Sequence, residues 1–391
     1  MQDSNLINPE HLPERIDNVL DQTLADKRLA GAVIKVALDG RIIYSRAAGF
    51  ASRELNQPMR EDALFRLASV SKPITSMATL VLVAQGRLKL DDRVDRWLPY
   101  FQPRLENCKP AAITVRHLMT HTAGLTYRFF QEEGGSYERA GVSDGMDQTN
   151  LTLEENLRRI ASVPLLYTPG TMWRYSIATD VLGAVIEKVT DTTLSEAIDS
   201  LVTYPLGMKD TGFVATDPQR LAAAYADDVP GLRPLHNPDS LAFVEGTAGF
   251  RLAPGRALDP AAYPSGGAGM VGSTGDFLQL LETLRKGGAP LLPESLVREM
   301  TTNQIGDLHM PFWPGRGFGL GITVLKDPLA ADTAESPGTW RMGGTYGHSW
   351  FVDPKQRLSV AAFTNTALEG MSGPFTVDLC NAVYGRLNHE S

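Results

Sequence analysis

The 391-residue sequence carries only two cysteines, Cys108 and Cys380, and neither sits in a CxxC or Cys-His spacing. A disulfide framework and a zinc site are both poorly supported by that pattern. No run of apolar residues approaches the roughly 18 that a membrane-spanning helix requires. Positive charge is scarce as well. With 37 Lys and Arg against 45 Asp and Glu, the net charge is −8, without the basic footprint of a nucleic-acid binder. The opening residues, MQDSNLINPEHLPERID, lack the basic n-region and apolar core of a secretory signal, so a cytoplasmic location is expected. The one GxSxG match, Gly141-Val142-Ser143-Asp144-Gly145, follows the polar stretch QEEGGSYERA rather than a strand-like run, which leaves a Ser-His-Asp hydrolase with little local support. What the chain does have is 43% hydrophobic and 21% charged residues, enough for a large buried core over two to three typical domain lengths.

Periodicity organises the chain. Leu12, Ile16, Val19, Leu20 and Leu24 recur at helical spacing within 10–29. The stretch 32–50 reads as two strands around Asp39-Gly40, a favoured hairpin dipeptide. Residues 74–85 form an apolar run of helical length, and 153–163 and 177–190 are the clearest helices in a helical, loop-rich region. The Gly-, Pro- and Asp-rich stretch 225–265 reads as a long irregular connection. A capped helix is expected over 273–288, strands over 317–325, 346–353 and 357–365, and a last helix over 374–387. Early and late strands are then free to share one antiparallel sheet with a helical region inserted between them.

Three places carry chemistry. In FRLASVSKPITSMATLVLV (65–83), Ser69 and Lys72 are spaced i, i+3 and share one helix face; Ser76 lies a turn deeper. Pro73 is tolerated only near a helix start, so Ser69 belongs at the N-terminus, where negative charge is favoured. A serine hydroxyl needs a neighbouring base, and lysine serves when burial lowers its pKa. Alone, SxxK is a frequent chance match. Tyr175 follows the Pro169-Gly170 turn and enters an apolar helix. A tyrosinate stabilised by Lys72 would act as general base, while the plain alternative is a packing tyrosine. In GGTYGHSWFVD (343–353), Gly343 and Gly344 leave room for a ligand and Thr345 offers a backbone N–H; a strand kink is the alternative. His117 and His121 in HLMTHTAGL have zinc-like i, i+4 spacing but no HExxH glutamate. They read as a structural helix end capped by Gly124, and no metal is expected.

Taken in order, FRLASVSKP, HLMTHTAGL, PGTMWRYS, PLGM (205–208), SGGAGM (265–270) and GGTYGHSWF resemble the serine β-lactamase and penicillin-binding superfamily. Within it the chain is most similar, from about residue 15 to about 387, to the family VIII carboxylesterases, which share the class C β-lactamase fold. The resemblance implies an α+β fold. Its antiparallel sheet comes from N- and C-terminal strands flanked by helices (1–70 and 270–391), and a mostly helical region (71–269) is inserted, with the active site in the cleft between them. It implies Ser69 as acylated nucleophile, Lys72 as its proton-sharing partner and Tyr175 as base and acid. The backbone N–H groups of Ser69 and Thr345 would form the oxyanion hole, and no metal or organic cofactor is implied.

Two departures narrow the expected activity. Tyr175-Ser176-Ile177 stands where lactamases and peptidases have Y-x-N, and Met342-Gly343-Gly344 stands where they have K-T-G; neither motif occurs anywhere in the chain. Family VIII esterases often have Trp-Gly-Gly there. Arg341, next to Met342, is expected to point to the other face of its strand. With no matching cation for a carboxylate, a neutral short-chain ester is the expected substrate. Tyr127, Met342, Gly343, Gly344, His348 and Trp350 are the candidate substrate contacts. The expected partner is a small-molecule ester, with no nucleic acid or membrane, and a monomer by default. A β-lactamase, a D-amino-acid amidase or peptidase, an acyltransferase and a non-catalytic penicillin-binding-like module are the alternatives.

Overall fold

Asp39 and Gly40 both take positive φ, 53° and 83°, the backbone of a type I′ turn whose twist matches the strands it joins. Those strands are β1 (Gly31–Leu38) and β2 (Arg41–Ser52). The computed structural model describes residues 7, 9–148, 150–227 and 231–386. In chain order, the other strands of the main sheet are β3 (Gln57–Pro58), β4 (Arg316–Phe318), β5 (Thr323–Leu325), β6 (Trp340–Gly344), β7 (His348–Asp353) and β8 (Leu358–Thr364). They form one antiparallel sheet in the order β4-β5-β6-β7-β8-β1-β2-β3. The two ends of the chain meet where β1 pairs with β8, Val33 opposite Phe363. Every residue of β8 is buried, as befits a central strand covered on both faces.

The principal helices are α1 (Leu12–Ala25), α2 (Ser71–Ala84), α3 (Val115–Met119), α4 (Leu153–Ala161), α5 (Ala178–Thr190), α6 (Thr274–Arg285) and α7 (Pro374–Tyr384). α1 and α7 cover one face of the sheet. Leu12, Ile16 and Leu20 pack there with Val36, Val360, Phe375 and Leu379, each such buried side chain contributing about 1.5–3 kcal/mol. On the other face, Phe277 of α6 meets Trp350 and Phe363 at ring distances of 5.4 and 5.6 Å. Ser273 caps α6 by accepting the Asp276 N–H at 3.2 Å.

Local details depart from the expectations. The single strand expected over 317–325 is two, β4 and β5, because the chain reverses at Gly321. Gly321 has φ 89°, and a Cβ there would lie 2.1 Å from Ser76 Oγ. The irregular 225–265 stretch contains two small hairpins, Tyr225–Ala226 with Arg233–Pro234 and Asp239–Leu241 with Phe250–Leu252. Strands of two or three residues leave no periodicity to read. Gly124 does not cap α3. The left-handed residue beyond its C-cap Thr120 is His121, φ 55°. α7 ends at Tyr384 with Gly385 left-handed, φ 70°, and the expected end at Leu387 lies outside the described residues. Both cysteines are free, Cys108 exposed and Cys380 buried. Among the described residues no helix is long and apolar enough to cross a membrane.

Candidate active site

Ser69 sits in the middle of a single 3-10 turn, Ala68–Val70, that runs directly into α2. Ala68 is left-handed at φ 45°, an outlier for a residue with a Cβ and the kind of backbone strain that concentrates at functional sites. Pro73 falls in the first turn of α2, where its missing N–H has no helical partner to lose. The turn is tied to the 265–270 segment: the Leu67 N–H donates to Met270 O at 2.8 Å, and the Met270 N–H donates to Ser71 Oγ at 3.2 Å. Lys72, the second residue of α2 and one turn beyond Ser69, is fully buried. Its Nζ donates to Ser69 Oγ at 3.1 Å and to the carbonyl oxygen of Gly267 at 2.9 Å.

Burial decides the charge of this group. Desolvation pulls the Lys72 ammonium down to about 7, against the attraction of Asp180 and Asp144. Asp180, at the start of α5, accepts the Ser265 hydroxyl and the Gly267 N–H on one oxygen, both at 2.8 Å. Its other oxygen is buried without a hydrogen-bond partner, and desolvation raises its carboxyl above the ordinary range. The same Gly267 therefore has its N–H held by Asp180 and its carbonyl held by Lys72. Asp144, raised to about 7 by burial, accepts the Arg128 and Phe129 N–H groups at 2.9 and 3.2 Å and so fixes the segment beyond Tyr127.

Tyr175 lies in the loop before α5, its ring 4.7 Å from Lys72 Nζ, and its hydroxyl shares a hydrogen bond with Ser69. Burial pushes that hydroxyl well above the usual tyrosine range, and the Ser69 bond offsets only part of the effect. Burial thus acts on both groups in the same sense, favouring the uncharged amine and the uncharged phenol in the free site. The loop is held by backbone bonds from Arg174 N–H to His121 O (3.0 Å) and from Ile177 N–H to Thr126 O (3.2 Å). His121 packs against the Tyr175 ring at 4.8 Å and accepts the Ser176 N–H on Nδ1 at 3.2 Å. Burial and the Lys72 charge keep it neutral. His117 instead completes a capping box with Thr114. The two histidines serve different local structures, and the described residues hold no cluster of three metal-ligating side chains.

A cavity of about 1020 Å³ opens above Ser69. Of the expected substrate contacts, Tyr127, Met342 and Gly343 line it, together with Tyr175 and Thr345. Gly344 does not. The space over both glycines is filled by protein rather than ligand: a Cβ on Gly344 would lie 2.5 Å from Leu67 O, and one on Gly343 would lie 2.8 Å from His348 O. His348 and Trp350 also leave the set of contacts, because both point from β7 into the core. His348 is fully buried, bonds Arg66 O through Nε2 at 2.7 Å, and is kept neutral by burial at about 4. Trp350 is 1% exposed and packs on Phe277. Arg341, expected to face away, does reach the cavity. Along β6, β5 pairs only with Trp340 and Arg341, so on that side Met342–Gly344 form an open edge that the cavity adjoins. Arg341 and Arg316 both pair with the buried Glu335, at 3.4 and 2.6 Å.

The sequence profile of the Beta-lactamase family matches residues 16–377. The chain belongs to the beta-lactamase family. It is 50% identical over 376 residues to Esterase EstB of Burkholderia gladioli, covering 96% of each chain. It is 26% identical over 401 residues to monacolin J acid methylbutanoyltransferase of Aspergillus terreus, covering 93% of this chain and 92% of that one. Among solved structures it superposes with a TM-score of 0.94 on EstCE1, a hydrolase with promiscuous acyltransferase activity, at 46% identity over 96% of this chain and 99% of that one.

Within this beta-lactamase fold, sequence reasoning missed Asp180, Asp144, His121 as the backing of Tyr175, and an array of rings around the cavity that includes Phe129, Phe130, Trp173, Phe312 and Trp313. One signal was available. Asp180 is a lone carboxylate inside the apolar run IATDVLGAVI, and a charged residue on a buried helix needs a partner.

Proposed function

We propose that this chain is a serine carboxylesterase that cleaves small-molecule esters through an acyl-enzyme on Ser69. The observation that carries the reading is Lys72 Nζ, desolvated and 3.1 Å from Ser69 Oγ. Neutral Lys72 takes the hydroxyl proton as Oγ attacks the ester carbonyl carbon. The carbonyl oxygen becomes an oxyanion between the N–H groups of Ser69 and Thr345, in the low-dielectric setting where such donors are most effective. The C–O bond to the alcohol then breaks. The proton held by Lys72 passes by way of the Tyr175 hydroxyl to the leaving oxygen, so the tyrosine donates as it receives and stays neutral. Water enters, Lys72 takes its proton, and the same steps release the acid.

The cleft is the space between the open edge of β6 and the 71–269 stretch that supplies Tyr127 and Tyr175. The 50% relationship to an esterase over nearly the whole length supports the reaction class.

The test is p-nitrophenyl acetate turnover by wild type and Ser69→Ala, with a chromogenic cephalosporin beside it. Ester turnover is expected to fall by roughly 10⁴-fold or more in the variant. Wild type is expected to gain one acyl group on Ser69 by mass spectrometry. Turnover that survives loss of Ser69 rejects the mechanism, and lactam turnover exceeding ester turnover rejects the esterase assignment. Acyl transfer is a second reading, favoured by the acyltransferase activity of two of the relatives and by a cavity wide enough for an alcohol to replace water. A competing alcohol in the assay separates it from hydrolysis by the ester product.

A further inference from the structure

Two walls of aromatic rings run outward from Lys72. One begins at Tyr127, whose ring is 5.3 Å from Nζ, continues by stacking to Phe129 at 4.6 Å, and passes by a tilted contact to Phe130 at 4.6 Å. The other begins at Tyr175, meets the Trp313 ring edge-on at 5.7 Å, and passes to its chain neighbour Phe312. The walls meet again at the cavity mouth, where the Phe130 and Phe312 rings lie parallel, within 2° and 6.4 Å apart. We propose that Phe312 and Phe130 form an aromatic clamp that selects esters of aryl or fused-ring alcohols, an inference that rests on the ester-hydrolase reading and names its substrate class.

Three observations support the clamp. Phe312 is 70% exposed although it lines the cavity, and Leu166, Met172 and Phe243 around the same opening are 50%, 55% and 36% exposed. Single exposed apolar residues are ordinary, but several gathered around one concavity mark a binding groove. Phe312 also holds φ at 72°, a left-handed conformation that a bulky side chain rarely adopts and that is characteristic of ligand clamps. The cavity of about 1020 Å³ is sized for a ligand well beyond a short aliphatic ester. The alcohol half is assigned to the clamp because Tyr175 delivers the proton to the leaving oxygen. The departing group therefore lies along the wall from Tyr175 through Trp313 to Phe312.

The test compares kcat/KM for 2-naphthyl acetate with that for ethyl acetate in wild type and Phe312→Ala. The ratio of the two is expected to fall about tenfold, carried by KM. An unchanged ratio overturns the clamp. Phe312→Gly, which suits the left-handed backbone, provides the same comparison if the alanine variant is unstable; there too a fall is expected and an unchanged ratio overturns the proposal. Methyl 2-naphthoate carries the ring on the acyl half and is expected to lose less than 2-naphthyl acetate. A larger loss on the naphthoate overturns the assignment to the alcohol. If no ester is turned over, or if turnover survives Ser69→Ala, it is the ester-hydrolase reading that fails, whatever Phe312 does.

Discussion

At its inner end the cavity reaches Ser69 and Tyr175, with Lys72 and Asp180 buried behind them, and of Lys72, Asp180 and Tyr175 the most exposed is Tyr175 at 8%. At its mouth, Phe312, Met172 and Leu166 are each half exposed or more. The inner groups are polar and hidden from water; the outer groups are apolar and wet. Burial at the inner end changes protonation, lowering the lysine and raising the tyrosine and aspartate. Exposure at the mouth leaves apolar area for a substrate to cover. Reactivity is thus set where water is excluded, and selectivity where it remains. The difference teaches that a residue type alone does not announce its role: aromatic side chains build both ends, and their solvent exposure separates the two uses.

The contrast is broken most severely by Lys72→Arg. Guanidinium stays protonated at any working pH, so ester turnover is expected to fall by roughly 10³-fold or more, measured as kcat/KM near neutrality. Activity within tenfold of wild type would remove Lys72 as the proton acceptor. In wild type the neutral amine is the working form, so kcat/KM is expected to rise with pH through about 7 and then level off. The same depression has a stability consequence. Between about 7 and the ordinary lysine value of 10.5 the unfolded chain binds a proton that the folded site does not, so the cost this group imposes on folding shrinks as pH rises through that window.

Tyr175→Phe removes the relay hydroxyl but keeps the ring against His121 and Lys72. A loss of roughly 10²-fold in kcat is expected on an alkyl ester, and less on a p-nitrophenyl ester, whose leaving group needs no proton. Equal losses on the two esters would argue that the hydroxyl does not serve the leaving oxygen. Asp180→Asn is the gentlest change. The amide oxygen still accepts from Ser265 and Gly267, but the negative charge beside Lys72 is gone. The acid limb of kcat/KM is expected to move to lower pH, with the plateau reduced less than about tenfold. A limb that stays in place would mean that Asp180 acts on Lys72 only through the position of Gly267. The Phe312 comparison belongs to the other end of the cavity and alters selectivity rather than protonation.

Legibility followed the range of each interaction. The Asp39-Gly40 turn, the start of α2 just before Pro73 and the Ser273 cap of α6 depend on neighbours within a few residues, and all three were readable. So was the Ser69–Lys72 juxtaposition, because i, i+3 on a helix is a local distance. Gly343 and Gly344 invited the wrong physical account. Their missing side chains do make room, but the room is taken by Leu67 and by the next strand, packing that no local pattern shows. His348 and Trp350 failed for the same reason, since alternation along β7 says that neighbours face opposite ways without saying which face is the cleft.

By itself, then, the sequence determined the hairpin, the starts of α2 and α6, the spacing of Ser69 and Lys72, and, by its ordered motifs, the family. Only the tertiary structure decided that Gly267 holds Lys72, that Asp180 stands beside it, that β1 pairs with β8, and that burial favours the uncharged forms of both the lysine and the tyrosine. Hydrogen bonds between residues 195 apart, such as Lys72 to Gly267, depend on the whole packed chain. So does desolvation, because it measures how much water every other element has displaced.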